Sequence, residues 1–460
     1  MQFLRVPLVA LLLTLLLAAP AAAQEKLLTL YSPPIDSLPY VHKVSTVPLQ
    51  PDGEQAPAEP GWVTGVKEEV LVDSKDPDAE PLPIAKMMVH HLLYFAPGRL
   101  DQGPGSCWPG VGFITGRGEE HPDGKIGRYS SPAFRAKYGI HNAMPDGSAP
   151  RWSLTAMVMN HYKAPKRFYV RTRIWYTTEP RTPLLTVTIG NCAQVVNQMA
   201  YDVPGGGGPG STFVDKSTWT VPQGFNGRIL GGASHQHGGA LYQTLSSVTC
   251  KRQFFKANAY YGADDHPYNT IRPILHEPGP IANGTFRSKE GIPITSGEVL
   301  ERRAVHDNSI THVASMGFWA VQMVRDDSVK PCDPMPTDIT EMPRPKKYDK
   351  TFPFVYNRVV PQLVTPRGPA TMFNGTPIGV GDQFFTGAVV KARLGRPVTW
   401  NFIGNEPHSV SVANGPRGFS SLYSGRTRGT YSFTPTVPGT YRLTCLIHPT
   451  TMAQTLEVTQ

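Results

Sequence analysis

Along most of the chain, apolar and polar residues alternate over short runs, and turn residues interrupt the runs every few positions. The segment from Arg167 to Tyr176 (Arg-Phe-Tyr-Val-Arg-Thr-Arg-Ile-Trp-Tyr) shows the pattern: a period of two, rich in β-branched and aromatic side chains, which is the signature of a strand with two unlike faces. Turns are supplied by 44 Gly and 46 Pro, each of which punctuates regular structure. No long run spaces its apolar residues three and four apart, so long amphipathic helices are not expected. The pattern predicts an all-β protein built of sandwiches.

Two segments break the pattern and suggest the domain limits. Residues 1–23 carry one Arg, an apolar run from Val6 to Ala19 and the small-residue end Ala21-Ala22-Ala23, which reads as a secretory signal peptide and not a membrane span. Removing it leaves about 437 residues, enough for two or three domains. The stretch from Lys330 to Lys350 holds five Pro and many charges and reads as a linker or a wrapped extension. The expected division is therefore a first β-sandwich over 24–180, a second over 181–329, a linker over 330–360 and a C-terminal sandwich over 361–460. Gly205-Gly206-Gly207-Gly208-Pro209-Gly210 is a further break, either a loop or a boundary.

Composition narrows the partners. The formal charge of +9 is scattered, with the densest cluster, Arg344-Pro345-Lys346-Lys347, in the Pro-rich stretch; a nucleic-acid footprint would need a basic stripe with stacking aromatics. No later stretch is apolar enough for stable membrane insertion. Five Cys are present, an odd number for an oxidising compartment. If Cys445 serves a metal, Cys107, Cys192, Cys250 and Cys332 remain for two disulfides. A secreted or periplasmic location follows.

The last forty-odd residues carry the most specific chemistry. In Gly439-Thr440-Tyr441-Arg442-Leu443-Thr444-Cys445-Leu446-Ile447-His448-Pro449-Thr450-Thr451-Met452, a strand would send Tyr441, Leu443 and Cys445 inward and Arg442 and Thr444 to solvent. The following turn presents His448 and Met452, and His408 comes from an earlier loop. One thiolate, two imidazoles and one thioether form the ligand set of a single electron-transfer copper. The surrounding pieces, Gly395 to Asn401, His408-Ser409-Val410, Gly429 to Phe433 and Pro438 to Tyr441, resemble the cupredoxin family from about Phe384 to Gln460. The resemblance implies a Greek-key β-sandwich with type 1 copper on His408, Cys445, His448 and Met452. The neighbours of Cys445 are Thr444 and Leu446, not the His that wires this copper to a second one in multicopper oxidases and nitrite reductases.

Metal-capable groups recur upstream: His90-His91, His161 before Tyr162, His235-Gln236-His237, and His312 to Met316. Residues i and i+2 on a strand share a face, so His235 and His237 can meet one ion. His90 and His91 would point to opposite faces unless a bulge or strand end intervenes. Singly, each group also reads as structural histidine, and Met316, near Phe318 and Trp319, as core. His42, His121, His141, His266 and His276 show no such pattern and read as ordinary polar residues.

From about Leu30 to Arg325, through His90-His91, Tyr138-Gly139-Ile140, Arg151-Trp152, His161, Gly232 to His237, Cys250 and His312 to Gly317, the chain resembles the stress-up-regulated nodulin (SURNod) family. The same ordered set, a His pair, a lone His before Tyr, a His-x-His and a late Met, is similar to the copper type II monooxygenases that hydroxylate peptidylglycine or dopamine. That similarity implies two jelly-roll-like β-sandwich subdomains with an electron-storing copper at His90, His91 and His161 and an oxygen-activating, catalytic copper at His235, His237 and Met316. Those enzymes follow their His pair with Met, where this chain has Leu92, and carry many more Cys, so no substrate carries over.

The expectation is an exported, monooxygenase-like copper oxidoreductase with a fused type 1 copper relay. One or two further copper ions would sit in the N-terminal region, with O2 and a redox protein or small reductant as partners. Its rival is a non-enzymatic electron-transfer or copper-handling protein.

Overall fold

A computed structural model describes residues 25–49, 57, 59–103, 112–117, 132–190, 199–261, 265–342, 362–421 and 425–460. The chain is nearly all β, as the alternation predicts, with two helices of six and four residues among the described residues. Cys107, Cys192 and the signal-like segment 1–23 lie outside the described residues.

The first sandwich packs a sheet built on Lys26–Tyr31, Lys166–Thr177, Gly61–Val72 and Tyr138–Asn142 against a four-stranded sheet ordered His42–Pro48, Ser153–Asn160, Met87–Phe95, Phe113–Arg117. Phe168, Val170 and Ile174, alternate residues of one strand, are fully buried between the layers with Trp152, Leu154 and Tyr94. In the second sandwich, Leu185–Gly190, Gly317–Arg325, Gly227–Gln236 and Thr285–Ile294 face Thr212–Thr220, Val299–Asp307, Ala240–Ser247 and Arg252–Tyr260. Its core centres on Trp219, Phe254, Phe286 and Trp319. Residues 330–342 behave as a wrapped extension: Thr340–Glu341 pairs with Thr285–Ile294, Cys332 is bonded to Cys250, and Asp338 takes the Lys289 and Glu290 amides.

The C-terminal sandwich has two sheets, one ordered Ala370–Met372, Val389–Arg393, Ala453–Thr459, Gly439–Thr444, Ser411–Asn414 and the other Phe384–Phe385, Ile378–Gly381, Val398–Phe402, Gly429–Phe433. Trp400, Tyr441, Leu443 and Leu456 fill the space between, and Trp400 donates its indole N–H to Gln454 at 2.8 Å.

One strand explains how the sandwiches join. All nine residues of Met87–Phe95 are buried, because both faces are covered, which is why its sequence is almost continuously apolar. Met87, Val89, Leu92 and Tyr94 enter the core of the first sandwich. Met88 packs on Ile271, Leu275 and Ile281, and Leu93 and Phe95 pack on Met199 and Phe318. The inward set changes parity between Val89 and Leu92, at the point where pairing with Ser153–Asn160 slips between Val89 and His91. A bulge of this kind sends two successive side chains to one side.

Candidate metal centres

In the C-terminal sandwich the strand Gly439–Thr444 buries Tyr441 and Leu443 and exposes Arg442, so that Cys445 continues inward and is fully buried. Thr444, expected at the surface, is buried as well. Ser411–Asn414 pairs beside it, and the Thr444 hydroxyl donates to the Met452 carbonyl at 3.2 Å. Donor atoms of His408, Cys445 and His448 lie within 4.8 Å of one another. Each imidazole is held from behind by a carboxylate: His408 Nε2 is 3.0 Å from Asp382 and His448 Nε2 is 3.2 Å from Glu406. Such partners fix ring orientation and tautomer and leave Nδ1 as the donor. His448 Nδ1 stands 3.8 Å from the Cys445 sulfur. His408 Nδ1 is buried with no hydrogen-bond partner among the described residues, an atom that a metal would satisfy.

Burial pushes the Cys445 thiol up, but the two imidazoles and the Ser409 amide, 3.3 Å from the sulfur, outweigh it and bring the thiol down to about 6. The thiolate, the form that binds metal, is thus favoured at neutral pH. Met452 is fully buried in the same core, and its amide donates to the His448 carbonyl at 3.0 Å. This donor set, one thiolate, two imidazoles and a thioether close by, fits copper.

The second group lies between the first two sandwiches. The bulge in Met87–Phe95 brings His90 and His91 to one side, ring centroids 4.2 Å apart. They then meet different partners. His91 Nε2 is 3.0 Å from His235 Nε2 and 3.4 Å from His237 Nε2. Donors about 2.0 Å from one ion are separated by such distances at angles of roughly 95° to 115°, so the three nitrogens fit one metal. His235 lies at the end of Gly227–Gln236 and His237 just beyond it, with ring centroids 5.0 Å apart. His237 Nδ1 is 3.0 Å from the Ala314 carbonyl, which accepts its N–H and leaves the Nε2 lone pair for the site. Ala314 has φ of 53°, a left-handed conformation uncommon for a residue with a Cβ and characteristic of functional sites.

Burial first, and then the neighbouring imidazoles, holds the pKa of His90, His91 and His237 well below the usual value. The rings are therefore neutral, as ligation requires. Behind them, Glu277 bonds His312 Nδ1 at 2.5 Å. Gly238 and Gly239 leave room for this pair, since a Cβ at either would sit 2.5 Å from Glu277 or from the His312 ring.

The residues expected as ligands are grouped differently in the structure. His161 does not join His90 and His91; it is buried beside Lys86, whose carbonyl accepts its amide at 2.8 Å. His91 instead crosses to the His235-His237 pair because the bulge turns it toward the second sandwich. Met316 touches that pair through its backbone: its carbonyl accepts the His237 amide at 3.2 Å, while its side chain packs near Phe318, Leu93 and Phe95. Two residues set aside as ordinary polar are drawn in. His276 has its ring 4.7 Å from His90, and His42 stands edge-on to His90 at 5.4 Å. Both are buried, which lowers His276 to about 4 and His42 to about 3. Each is a single His in an unpatterned stretch, so no local signal marks it.

No protein-family model and no curated protein matches the chain. Among solved structures, a Cu-containing nitrite reductase (NirK) from Thermus scotoductus SA-01 is similar at 16% identity over 50% of this chain, with a TM-score of 0.18. The alignment spans 55% of that chain, and at so low a score it bears no weight on function.

Proposed function

We propose that the chain is an exported, monooxygenase-like copper oxidoreductase, with a type 1 copper site on His408, Cys445, His448 and Met452 serving a buried centre on His91, His235 and His237. Copper in such sites accepts and releases one electron at a time. The observation that carries the reading is the junction between the two groups. The His42 amide donates to the Ile447 carbonyl at 3.3 Å, two residues beyond Cys445, and the same His42 places its ring edge on His90. Leu446 packs on Met157 and Ala314, and the Ala314 carbonyl orients His237. A protein that only shuttled electrons would have no need to dock its thiolate loop against a second set of neutral imidazoles.

The roles of the chain's own residues follow. Asp382 and Glu406 hold the two C-terminal imidazoles in place, Ser409 stabilises the thiolate, and Ala314 fixes the tautomer of His237. No helix among the described residues is long and apolar enough to cross a membrane. The depth of the cluster, with His90 0% and His237 2% exposed, favours a second reading, electron transfer or copper handling without turnover.

Oxygen consumption separates the two. Reduced full-length protein should consume O2 or form peroxide, and His235→Ala should lose this while keeping its blue colour. Wild type that is copper-replete but inert to O2 would leave only the second reading.

A further inference from the structure

The segment from His312 to Met316 follows the turn after His237 almost residue by residue. The Met316 carbonyl accepts the His237 amide at 3.2 Å, and the Ala314 carbonyl accepts the His237 Nδ1–H at 3.0 Å. The Ser315 hydroxyl donates to the Gly238 carbonyl at 3.5 Å, and the His312 ring lies against Gly239, where a Cβ would sit 2.5 Å from it. The direction of the His237 ring is therefore set by where this segment lies.

Glu277 fixes the start of the segment. Its carboxylate bonds His312 Nδ1 at 2.5 Å, with the His312 side chain 1% exposed and the Glu277 side chain 13%. The residue before Glu277 is His276, whose donor atom lies within 4.8 Å of those of His90 and His237. One contact thus joins the loop that presents His276 to the segment that aims His237. We propose that Glu277 and His312 are a positioning pair for the histidine centre: their bond fixes the directions of the His237 and His276 rings, and with them the affinity and geometry with which the centre holds copper. This rests on the copper reading above and gives a role to a pair that itself ligates nothing.

Stability alone does not account for the pair. Two charges taken out of water gain little over apolar side chains of the same volume, because lost hydration offsets their attraction. What the bond adds is direction, since a ring N–H and a carboxylate oxygen meet within narrow limits of distance and angle. Burial pulls the His312 pKa down, but the Glu277 carboxylate outweighs it and the pKa stands above 6.5. The chain also keeps space for the pair, since a Cβ on Gly238 would sit 2.5 Å from the Glu277 carboxyl carbon. On its other flank the His276 loop is anchored by Leu275 and Ile281, which pack with Met88. Glu277 closes the remaining side.

The test is titration of the full chain with Cu(II), followed by electron paramagnetic resonance with the blue band as internal reference. Wild type is expected to bind a cluster copper beyond the blue one. Glu277→Ala should lower the affinity for that copper about 10- to 100-fold and alter its resonance parameters, with the blue band unchanged. Glu277→Gln, whose amide oxygen still accepts from the ring N–H, should restore most of the affinity. Removing one partner of a buried pair can unfold a chain, so Gly238→Ala is the second probe: it keeps both partners but its methyl group forces the carboxylate to move, and a loss in the same direction is expected. Wild-type affinity and resonance parameters in both Glu277→Ala and Gly238→Ala, with only a lowered melting temperature, would make the pair purely structural and overturn its positioning role while leaving the proposed function standing. A Gln variant as impaired as the Ala variant would also overturn it, because the bond is kept and only charge is lost. Wild type that saturates at the blue copper alone would overturn the positioning role and the proposed function together.

Discussion

The two metal-capable regions are assembled in opposite ways. In the C-terminal sandwich every donor comes from one domain, three of them from a single turn after one strand, and the carboxylates that orient the rings lie on neighbouring loops. In the histidine cluster the donors come from two sandwiches: His90 and His91 from the first, His235, His237 and His276 from the second. The first site is a property of a loop. The second is a property of an interface, so it exists only while the sandwiches stay docked.

The largest effect expected is on the local site. Cys445→Ser removes the thiolate on which the intense thiolate-to-copper absorption depends, so the visible band should vanish altogether. Because the cluster shares none of these ligands, its copper should persist in the variant. A variant that keeps the blue band would place the type 1 site elsewhere. One that loses all copper would show that the two regions are not separable in the way their ligand sets suggest.

That asymmetry also explains what could be read in the sequence. Alternation in Arg167 to Tyr176 and in Tyr441, Leu443 and Cys445 gives strands and their inward faces, because a half-buried sheet imposes period two on the chain itself. His235 and His237 meet for the same reason. Thr444 escaped the rule because the ligand loop folds back over it, its hydroxyl donating to the Met452 carbonyl, a fact of tertiary structure. The divergence of His91 from His161 depends on a one-residue bulge whose cause lies in the packing of two domains. His42 and His276 are 234 positions apart in numbering and are joined through His90 only by folding. Single residues of that kind leave no period and no spacing to detect.

A smaller effect tests the dependence of the cluster on docking. Asp202 is a half-buried connection between the C-terminal sandwich and the strand that orients His237: it accepts the Ala314 amide at 2.9 Å, the Ser420 amide at 2.7 Å and the Ser420 hydroxyl at 2.8 Å. Asp202→Ala leaves the buried Ala314 amide without its acceptor, at about 1–3 kcal/mol, and frees the half-buried Ser420 amide and hydroxyl to bond water at smaller cost, so a loss of about 2 kcal/mol is expected by denaturant titration. Burial, the dominant influence, raises the Asp202 pKa above 3.8 despite these bonds. For a carboxyl shifted upward, the folded state binds more protons than the unfolded state. Stability therefore falls as pH rises from 3.8 through the raised value and levels off above it. Asp202→Ala should lack that fall. An unchanged pH profile would mean that Asp202 does not titrate within the junction, and an unchanged midpoint would mean that the sandwiches do not depend on it.

The smallest effect concerns Ala314, where two opposing terms nearly cancel. Its φ of 53° is a conformation that costs a residue with a Cβ about 1–2 kcal/mol, so Ala314→Gly should relieve strain. Glycine also gives the unfolded chain more freedom to lose, which takes back about 0.4–1 kcal/mol. A net gain of about 0 to 1.6 kcal/mol is expected. The hydrogen bond to His237 Nδ1 comes from the backbone carbonyl and survives the substitution, so copper affinity of the cluster should change less than threefold. A large drop in affinity without loss of stability would show instead that the Ala314 methyl group, packed with Met157 and Leu446, holds that carbonyl in line with the ring. Orientation at the interface would then be controlled by apolar packing between the sandwiches, and the contrast with the carboxylate-held rings of the C-terminal site would be sharper still.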